Sequence, residues 1–239
     1  MVRWKPKPNE ISGRDLSEAD LSGLDLRGRD FSNVDLSKSD LSYTDIREAK
    51  FWGANLYEAN VAYANARVAN FQGANLTKAN FLEANLWGAN FKVAVLSHGV
   101  FVRANMAQAD LPGANCNQAN FSETNLWGSV LRLASLHGVN FGKAQLGISK
   151  MEQSTFVGGN FREADLTGAT LRGADLRSVD FTDATLRDVN FRDSKLEKAD
   201  LRGCDVREAY FRDAILRDTI MPDGTLVNDA IDRWSSTAS

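Results

Sequence analysis

Every fifth residue of this chain is apolar over almost its whole length. From Ile11 to Met221 the series has 43 positions without an exception, and all 13 phenylalanines fall in it. An amphipathic helix needs a period of about 3.6 and a strand a period of about 2, so a spacing of five fits neither. The pattern instead predicts short straight segments joined by corners, with each segment pointing its apolar residue into a common core.

A second series, two residues before the first, holds small residues. Its 42 members from Arg14 to Thr219 include 24 alanines, and 15 more are Ser, Thr, Gly, Cys or Val. The exceptions are Arg14, Leu24 and Arg29. Between the two series stands mostly Asp or Asn, so the unit is Ala-(Asp/Asn)-(Leu/Phe)-x-x. Small residues beside large ones predict a narrow, close-packed core.

The distribution of phenylalanine indicates how many units make one turn. With four units per turn, residues 20 apart form one column, and 12 of the 13 phenylalanines then lie on two opposite sides. Positions ten residues apart, such as Phe31 and Leu41, mostly combine one Phe with a smaller residue, as a close-packed core requires. We therefore predict four pentapeptides per coil and nearly eleven coils, without an inserted loop. At the spacing of β-strands this is a rod roughly 50 Å long.

This pattern resembles the pentapeptide-repeat family over about 210 of the 239 residues. Members of that family form a right-handed quadrilateral β-helix, so the resemblance implies an all-β solenoid of that type. The sequence Met-Pro-Asp-Gly at 221–224 also resembles the ending of cyanobacterial members.

The ends of a solenoid need covering, because the last coil exposes core and unpaired backbone. We expect an N-terminal arm (1–10), the β-helix (11–221), and a C-terminal cap with a disordered tail (222–239). Three residues of the arm are expected to fold over the first coil: Trp4, Pro6 and Pro8. At the other end, Pro222 to Gly224 is a turn signal. Asn228 is then expected to cap a short helix that carries Ile231 and Trp234.

Composition excludes several classes of protein. The 28 Lys and Arg residues against 31 Asp and Glu give a formal net charge of −3, which argues against a strongly basic nucleic-acid binder. No apolar run approaches the ~18 residues of a membrane-spanning helix. No secretory signal is expected, so we expect a cytoplasmic protein. Cys116 and Cys204 are expected to be buried reduced thiols, because more than four coils, roughly 20 Å, separate them.

Residues for catalysis are scarce. The chain has two histidines, His98 and His137, which are predicted to face outward about 10 Å apart; two solvated histidines are a better interpretation than loose metal ligation. There is no nucleophile elbow, phosphate loop or Cys-x-x-Cys motif, and a straight rod lacks the pocket that catalysis needs. We expect no enzyme activity, small-molecule substrate, metal or other cofactor.

Aspartates stack in columns in the first coils. Like charges this close are expected to repel and to raise the pKa of one another. A calcium site would need six or more converging oxygens, so we favour hydrogen bonds from each Asp to the corner backbone. These residues form a candidate acidic face: Asp15, Asp20, Asp25, Asp35, Asp40 and Asp45. The asparagines that follow, from Asn55 to Asn90, predict a stacked amide ladder.

Charge is sparse in the middle of the chain. Residues 51–160 hold 12 charged residues, whereas the shorter segment 161–220 holds 24, mostly arginines and acids that we expect to pair with one another. Asn-Leu-Trp-Gly occurs twice, 40 residues apart, which places Trp87 and Trp127 on one side with Ala107 between them. Aromatic residues with few charges around them mark interface cores. The candidate partner-binding residues are Trp52, Trp87 and Trp127; alternatively, each Trp lies flat over a neighbouring glycine and covers backbone.

Two functions stay open. The first is a non-enzymatic protein–protein interaction or regulatory scaffold with flat β-helix faces, whose partner is an unidentified protein or a second copy. The family resemblance implies such roles, including cyanobacterial members linked to cell differentiation. The second is a DNA mimic that binds DNA gyrase or another nucleic-acid-binding protein, as some family members do. Those members are strongly acidic, and this chain is not. Direct binding of nucleic acid or membrane is not expected.

Overall fold

The computed structural model describes residues 15–227. Within that range, the backbone pairs with itself at a constant separation of 20 residues. The pairs run from Asp15 with Asp35 to Asp200 with Ile220, and all of them are parallel. One coil therefore contains four pentapeptides, as the distribution of phenylalanine predicts. The residues proposed to cover the first coil lie outside the described range.

A tight turn follows each apolar residue. In the first described unit, the Ala19 N–H donates to the Leu16 carbonyl over 3.2 Å, which closes a four-residue turn. The third residue of every such turn from Glu18 to Asp218 has a positive φ, as in a type II turn. Only three residues remain between corners, so most of the pairing involves single residues.

Regular strands occur only at the carboxyl end of residues 15–227. They are β1 (Thr219–Ile220) and β2 (Leu226–Val227), which pair antiparallel, with Thr219 opposite Val227. No helix was found in this range, and hence none that could cross a bilayer.

The apolar series fills the centre of the coils. From Leu16 to Met221 every member is buried except Val206, which is half-buried. Phenylalanines 20 residues apart stack face to face: the ring centroids of Phe31 and Phe51 are 5.0 Å apart with the planes within 3°. Stacks of this kind continue the core from coil to coil.

Opposite columns interlock where both hold phenylalanine. The rings of Phe71 and Phe81 meet edge to face at 5.7 Å and 88°, and those of Phe91 and Phe101 at 6.4 Å and 89°. Perpendicular rings bring the positive edge of one onto the negative face of the other. At these two pairs neither position holds a smaller residue, and the perpendicular packing allows the core to accommodate both rings.

The small series lies beside this core. Several of its hydroxyl groups donate to backbone carbonyls: Thr124 Oγ1 to that of Phe101 at 2.7 Å, and Ser39 Oγ to that of Leu36 at 2.7 Å. The buried hydroxyls of Ser129 and Ser149 have no hydrogen-bond partner among the described residues. The exception Leu24 is buried, and Arg29 is half-buried. The first described coils therefore tolerate larger residues at this position.

A hairpin reverses the chain after the last coils. Gly224, with φ +83°, donates its N–H to the Met221 carbonyl at 2.9 Å, and β2 returns along β1. The turn signal at Pro222 to Gly224 thus forms a turn, but it leads into a strand that the sequence did not predict. The helix expected from Asn228 onward lies outside the described residues, and the domain boundaries remain predictions.

Candidate protein-interaction surface

Most corner residues face solvent, and they differ more between coils than the core residues do. A corner consists of the two residues that follow each apolar centre, and the second has a left-handed backbone. Glycine adopts this conformation without strain, whereas a residue with a Cβ pays for it. Twelve of these positions from Glu18 to Asp218 are glycine and the other 29 are not. Most corners therefore carry a side chain despite this conformational cost.

One corner carries a row of apolar residues over five successive coils. We call it the tryptophan corner: Val68, Trp87, Ala107, Trp127 and Ile148. The two indoles are 39% and 49% exposed, Val68 is 50% and Ile148 47%. Ala107, between the indoles, is buried. This row is an exposed apolar strip on a convex edge.

Each indole has a neighbour in an adjacent coil. The Arg67 guanidinium lies 4.9 Å from the centroid of the Trp87 ring, a cation–π contact. A Cβ at Gly147 would lie only 3.1 Å from Trp127 Cδ1, so the indole packs against that glycine. Covering of backbone, the alternative interpretation, therefore applies to Trp127, but half of the indole stays exposed.

Two members of the tryptophan corner sit in an unfavourable backbone conformation. Val68 has φ +58° and Ile148 φ +49°. A β-branched residue with positive φ is an outlier; Val93, on the corner of Trp52, shares this conformation at φ +51°. The sequence alone could not reveal it, because the sign of φ follows from the corner geometry.

Trp52 lies apart from the other two tryptophans. It is 50% exposed and occupies the next corner along the chain, in a column with Ser32 and Gln72 in the neighbouring coils. The structure thus brings Trp87 and Trp127 to one edge and leaves Trp52 on another. Sequence analysis missed Arg67 and Val68, although the 20-residue period would have placed both at this corner.

The acidic face is hydrogen-bonded to its own corners. Asp15 Oδ1 accepts the Ser17 N–H at 2.9 Å, and the same bond to the residue two further on recurs through the face. The expected rise in pKa is wrong for Asp15 and Asp45. The hydrogen bond from the Ser17 side chain lowers the pKa of Asp15, and that from the Arg47 side chain lowers the pKa of Asp45.

Arginines neutralise part of this face. Arg27 holds Asp25 with an Nη2–Oδ2 distance of 2.6 Å, and the hydrogen bond from its side chain lowers the pKa of Asp25 to about 2. Arg47 pairs with Asp45 at 2.7 Å. These groups border a shallow depression at the same corner as the tryptophans. For Asp15, Asp25 and Asp45, hydrogen bonds from neighbouring side chains therefore lower the pKa despite the stacking of carboxylates.

The predicted amide ladder is present. Asn55 Nδ2 donates to Asp35 Oδ1 at 3.0 Å, and Asn75 Nδ2 donates to Asn55 Oδ1 at 3.0 Å. Asn55 Oδ1 also accepts the Tyr57 backbone N–H of its own corner at 3.3 Å, and Asn75 and Asn80 bond to their corners in the same way, whereas Asn65 Oδ1 has no hydrogen-bond partner among residues 15–227. The asparagines therefore join coils and hold corners at once, which is a structural role.

Groups with reactive chemistry are isolated. Cys116 and Cys204 are buried free thiols, as predicted, and burial raises the pKa of each to about 12. His98 and His137 are both exposed. Between residues 15 and 227, no three His, Cys, Asp or Glu side chains come together in a way that could hold a metal ion.

The C-terminal coils are covered with ion pairs. Arg172 Nε lies 3.0 Å from Asp193 Oδ2, as the predicted self-pairing requires. Arg187 and Arg207 share Asp205 instead of the acids at their own corners, at 2.6 and 2.5 Å. Asp205 precedes the corner and points out from the straight segment, which places it within reach of both guanidinium groups.

Comparison with known families agrees with this architecture. The profile described as pentapeptide repeats (8 copies) matches residues 15–53, 54–92, 89–128 and 114–147, and the one described as pentapeptide repeat region matches 131–201 and 148–221. The chain is a pentapeptide-repeat protein. Proteins of this family fold as right-handed quadrilateral β-helices, in agreement with the pairing of residues 20 apart.

Several solved pentapeptide-repeat structures resemble this protein. HetL, involved in heterocyst differentiation regulation in the cyanobacterium Nostoc sp. strain PCC 7120, is 30% identical over 86% of this chain and 92% of its own, with a TM-score of 0.63. Rfr23 from the cyanobacterium Cyanothece 51142 is 28% identical over 42% and 63%, with a TM-score of 0.24.

Full-length QnrB1, a plasmid-mediated fluoroquinolone resistance protein, is 21% identical over 80% of this chain and 90% of its own, with a TM-score of 0.30. No curated protein sequence matched significantly. The likeness to HetL extends over both chains, whereas QnrB1 and Rfr23 superpose poorly on this one.

Proposed function

We propose that this pentapeptide-repeat protein is a non-enzymatic scaffold that docks a partner protein on the tryptophan corner. The observation that carries the proposal is the exposure of two indoles and two strained β-branched residues in one row. A left-handed backbone costs an L-residue about 1–2 kcal/mol, and Val68 and Ile148 regain little by burial because half of each side chain is exposed. Folding alone does not favour these residues, whereas a docked partner would bury them.

The chemistry of the corner suits an interface core. Two tryptophans on one edge supply large, rigid contact area, and residues of this kind carry most of the binding energy at protein interfaces. Charges are sparse around them, as in the centre of known interfaces. HetL, a relative with the same fold, is involved in heterocyst differentiation regulation, and we extend a regulatory role to this chain.

Affinity capture with matched variants tests the proposal. The wild-type chain is compared with Trp87→Arg/Trp127→Arg and with Trp52→Arg, which changes an equally exposed indole on the next corner. Circular dichroism verifies that all three fold. A partner retained by wild type and by Trp52→Arg, lost by the double variant, and rebound with the same pattern when purified would support the proposal. If the double variant keeps every partner of the wild type, the tryptophan corner is not the docking surface.

The alternative is a DNA mimic that uses the acidic face to bind gyrase. Its support is the stacking of Asp15 on Asp35 and of Asp20 on Asp40, whose carboxylates line one end of the described coils. Arg27 and Arg47 weaken the case by pairing with Asp25 and Asp45. Binding of purified gyrase that survives the tryptophan changes and falls on Asp35→Asn/Asp40→Asn would favour this function. The cytoplasmic location remains a prediction, which fractionation of the source cells would test.

A further inference from the structure

The spacing of the two exposed indoles is the starting point. Trp87 and Trp127 lie two coils apart, which at the spacing of paired strands is about 10 Å along the corner. Only the short side chain of Ala107 stands between them. At another corner, Tyr43 and Tyr63 lie one coil apart, and their rings stack at 4.9 Å. Aromatic residues in successive coils can therefore stack on each other, whereas Trp87 and Trp127 are too far apart to do so.

That spacing matches one kind of peptide conformation. A polyproline II helix repeats every three residues at about 3.1 Å each, so prolines three apart lie on one side about 9 Å from each other. In a β-strand, residues on one side repeat at about 7 Å. Residues seven apart in an α-helix also lie about 10 Å apart, but the carbonyl groups of an α-helix already accept hydrogen bonds within the helix, so they are not available to donors on a docking surface. Among these conformations, polyproline II combines the observed spacing with carbonyl groups that are free to accept hydrogen bonds.

Hydrogen-bond donors at the corner also suit such a ligand. Polyproline II has no internal hydrogen bonds, so its carbonyl groups need donors, and proline brings no N–H of its own. Neither indole N–H of Trp87 and Trp127 has a hydrogen-bond partner within the described part of the chain. Aromatic side chains line the sites at which proteins bind proline-rich segments, and the two indoles add donors for the carbonyl groups of such a segment.

Arg67 adds a charge to one end of this row. In the coils before it, Arg27 and Arg47 each pair with the aspartate two residues earlier, at 2.6 and 2.7 Å. Residue 65 is asparagine, and its buried Oδ1 has no hydrogen-bond partner. Among residues 15–227, Arg67 has no carboxylate within ion-pair distance; its guanidinium lies over Trp87. A ligand with an acidic residue at this end would supply the missing partner.

We propose that the tryptophan corner binds a proline-rich segment in the polyproline II conformation. Two prolines three residues apart would pack on Trp87 and Trp127 across Ala107, and an acidic residue beside them would pair with Arg67. The inference rests on the proposed function, since it names the class of partner segment that the same surface takes.

Peptide libraries of defined proline spacing test this proposal. Peptides of about 15 residues carry two fixed prolines two, three or four residues apart, with the other positions randomised, and are selected on the full-length immobilised chain. We expect enrichment for the spacing of three, with acidic residues on one flank, and a loss of affinity of about tenfold or more in Trp87→Ala/Trp127→Ala. Equal enrichment at all three spacings, or none, would overturn the proposal.

A relocation variant separates spacing from aromatic content. Ala107→Trp/Trp127→Ala keeps two indoles at the corner but places them one coil apart, as in the tyrosine pair. It should lose the selected peptides as the double alanine variant does, whereas Trp52→Ala should keep them. Arg67→Gln should remove the preference for acidic flanks and keep that for proline. Full binding of the selected peptides by the relocation variant would show that the two-coil spacing of the indoles is not what selects prolines three residues apart.

Two further outcomes separate this inference from the proposed function. A partner that depends on Trp87 and Trp127 but binds through a segment without proline would support the docking surface and overturn the polyproline ligand. A second copy of this chain is another possible occupant of the corner, and sedimentation of the wild-type chain tests for it. A dimer that the double alanine variant abolishes would assign the corner to that second copy and overturn the polyproline ligand.

Discussion

The middle coils (51–160) and the C-terminal coils (161–220) have the same backbone and core but different corners. Both bury stacked phenylalanines, such as Phe101 on Phe121 at 4.7 Å and Phe191 on Phe211 at 5.0 Å. In the middle, asparagines link the coils and exposed corners carry apolar residues. In the C-terminal coils, the corners carry arginines that pair with acids. The fold thus fixes the core and leaves the corners free, so differences between corners reflect what each region contacts.

Truncation of a core phenylalanine should have the largest effect on stability, and the effect should be the same in both regions. Phe101→Ala and Phe191→Ala should each lower the free energy of unfolding by about 3–5 kcal/mol, because each empties a ring-sized space in a close-packed core. Urea titration followed by circular dichroism measures both, with the corresponding Leu variants as controls. A loss below about 1 kcal/mol for either variant would mean that the two regions do not have equivalent cores.

Low pH should destabilise the C-terminal coils more than the middle coils. The hydrogen bond from the Arg177 side chain lowers the pKa of Asp175, and that from Arg202 lowers the pKa of Asp200, from the ordinary 3.8. A carboxylate whose pKa is lowered by folding stabilises the fold above its unfolded pKa, and the stabilisation is lost as the pH falls through the lowered value. The asparagines of the middle coils do not titrate.

Amide hydrogen exchange at about pH 5 and again below the ordinary aspartate value, corrected for intrinsic rates, checks this difference. Protection should fall first in residues 161–220. The variant Asp175→Asn/Asp200→Asn should reduce the change with pH. Earlier loss of protection in the middle coils would contradict the comparison.

Glycine substitution at a strained corner should stabilise the middle coils more than the C-terminal coils. Val68→Gly should raise the free energy of unfolding by about 0.5–1 kcal/mol, since it removes a β-branched residue from a left-handed backbone, less the extra entropy of glycine in the unfolded chain. Lys198→Gly in the C-terminal coils, also at positive φ, should change it by less, because lysine is unbranched at Cβ. Thermal unfolding compares the two. A destabilised Val68→Gly would show that this side chain serves the fold.

The smallest effect should come from the ion pairs. A double-mutant cycle on Arg172 and Asp193 should give a coupling below about 1 kcal/mol, because exposed charges are screened and ordering them costs entropy. The cycle is measured by urea titration at low and at high salt. A coupling well above that value, or one that salt does not reduce, would mean that the charged corners stabilise the C-terminal coils.

Sequence reasoning predicted the coil and its core because a period of five leaves few geometries. The apolar centres, the small series beside them and the asparagine ladder all follow from that period and are present. The pKa of Asp15 and Asp45 was predicted in the wrong direction, since stacking was considered without the donors at each corner. The hairpin of Thr219–Ile220 and Leu226–Val227 was missed because its second strand lies beyond the repeat, and pairing of two short strands depends on tertiary contact.

The sequence by itself determined that this protein is a pentapeptide-repeat solenoid, and that Trp87 and Trp127 share an edge, because spacing alone places residues in columns. Only the tertiary structure decided what those columns do. It gave Val68 and Ile148 a left-handed backbone, placed Arg67 over Trp87 rather than on a carboxylate, and left Trp52 on another corner. Such features depend on distances between coils and on the sign of φ at each turn, which the order of residues does not state.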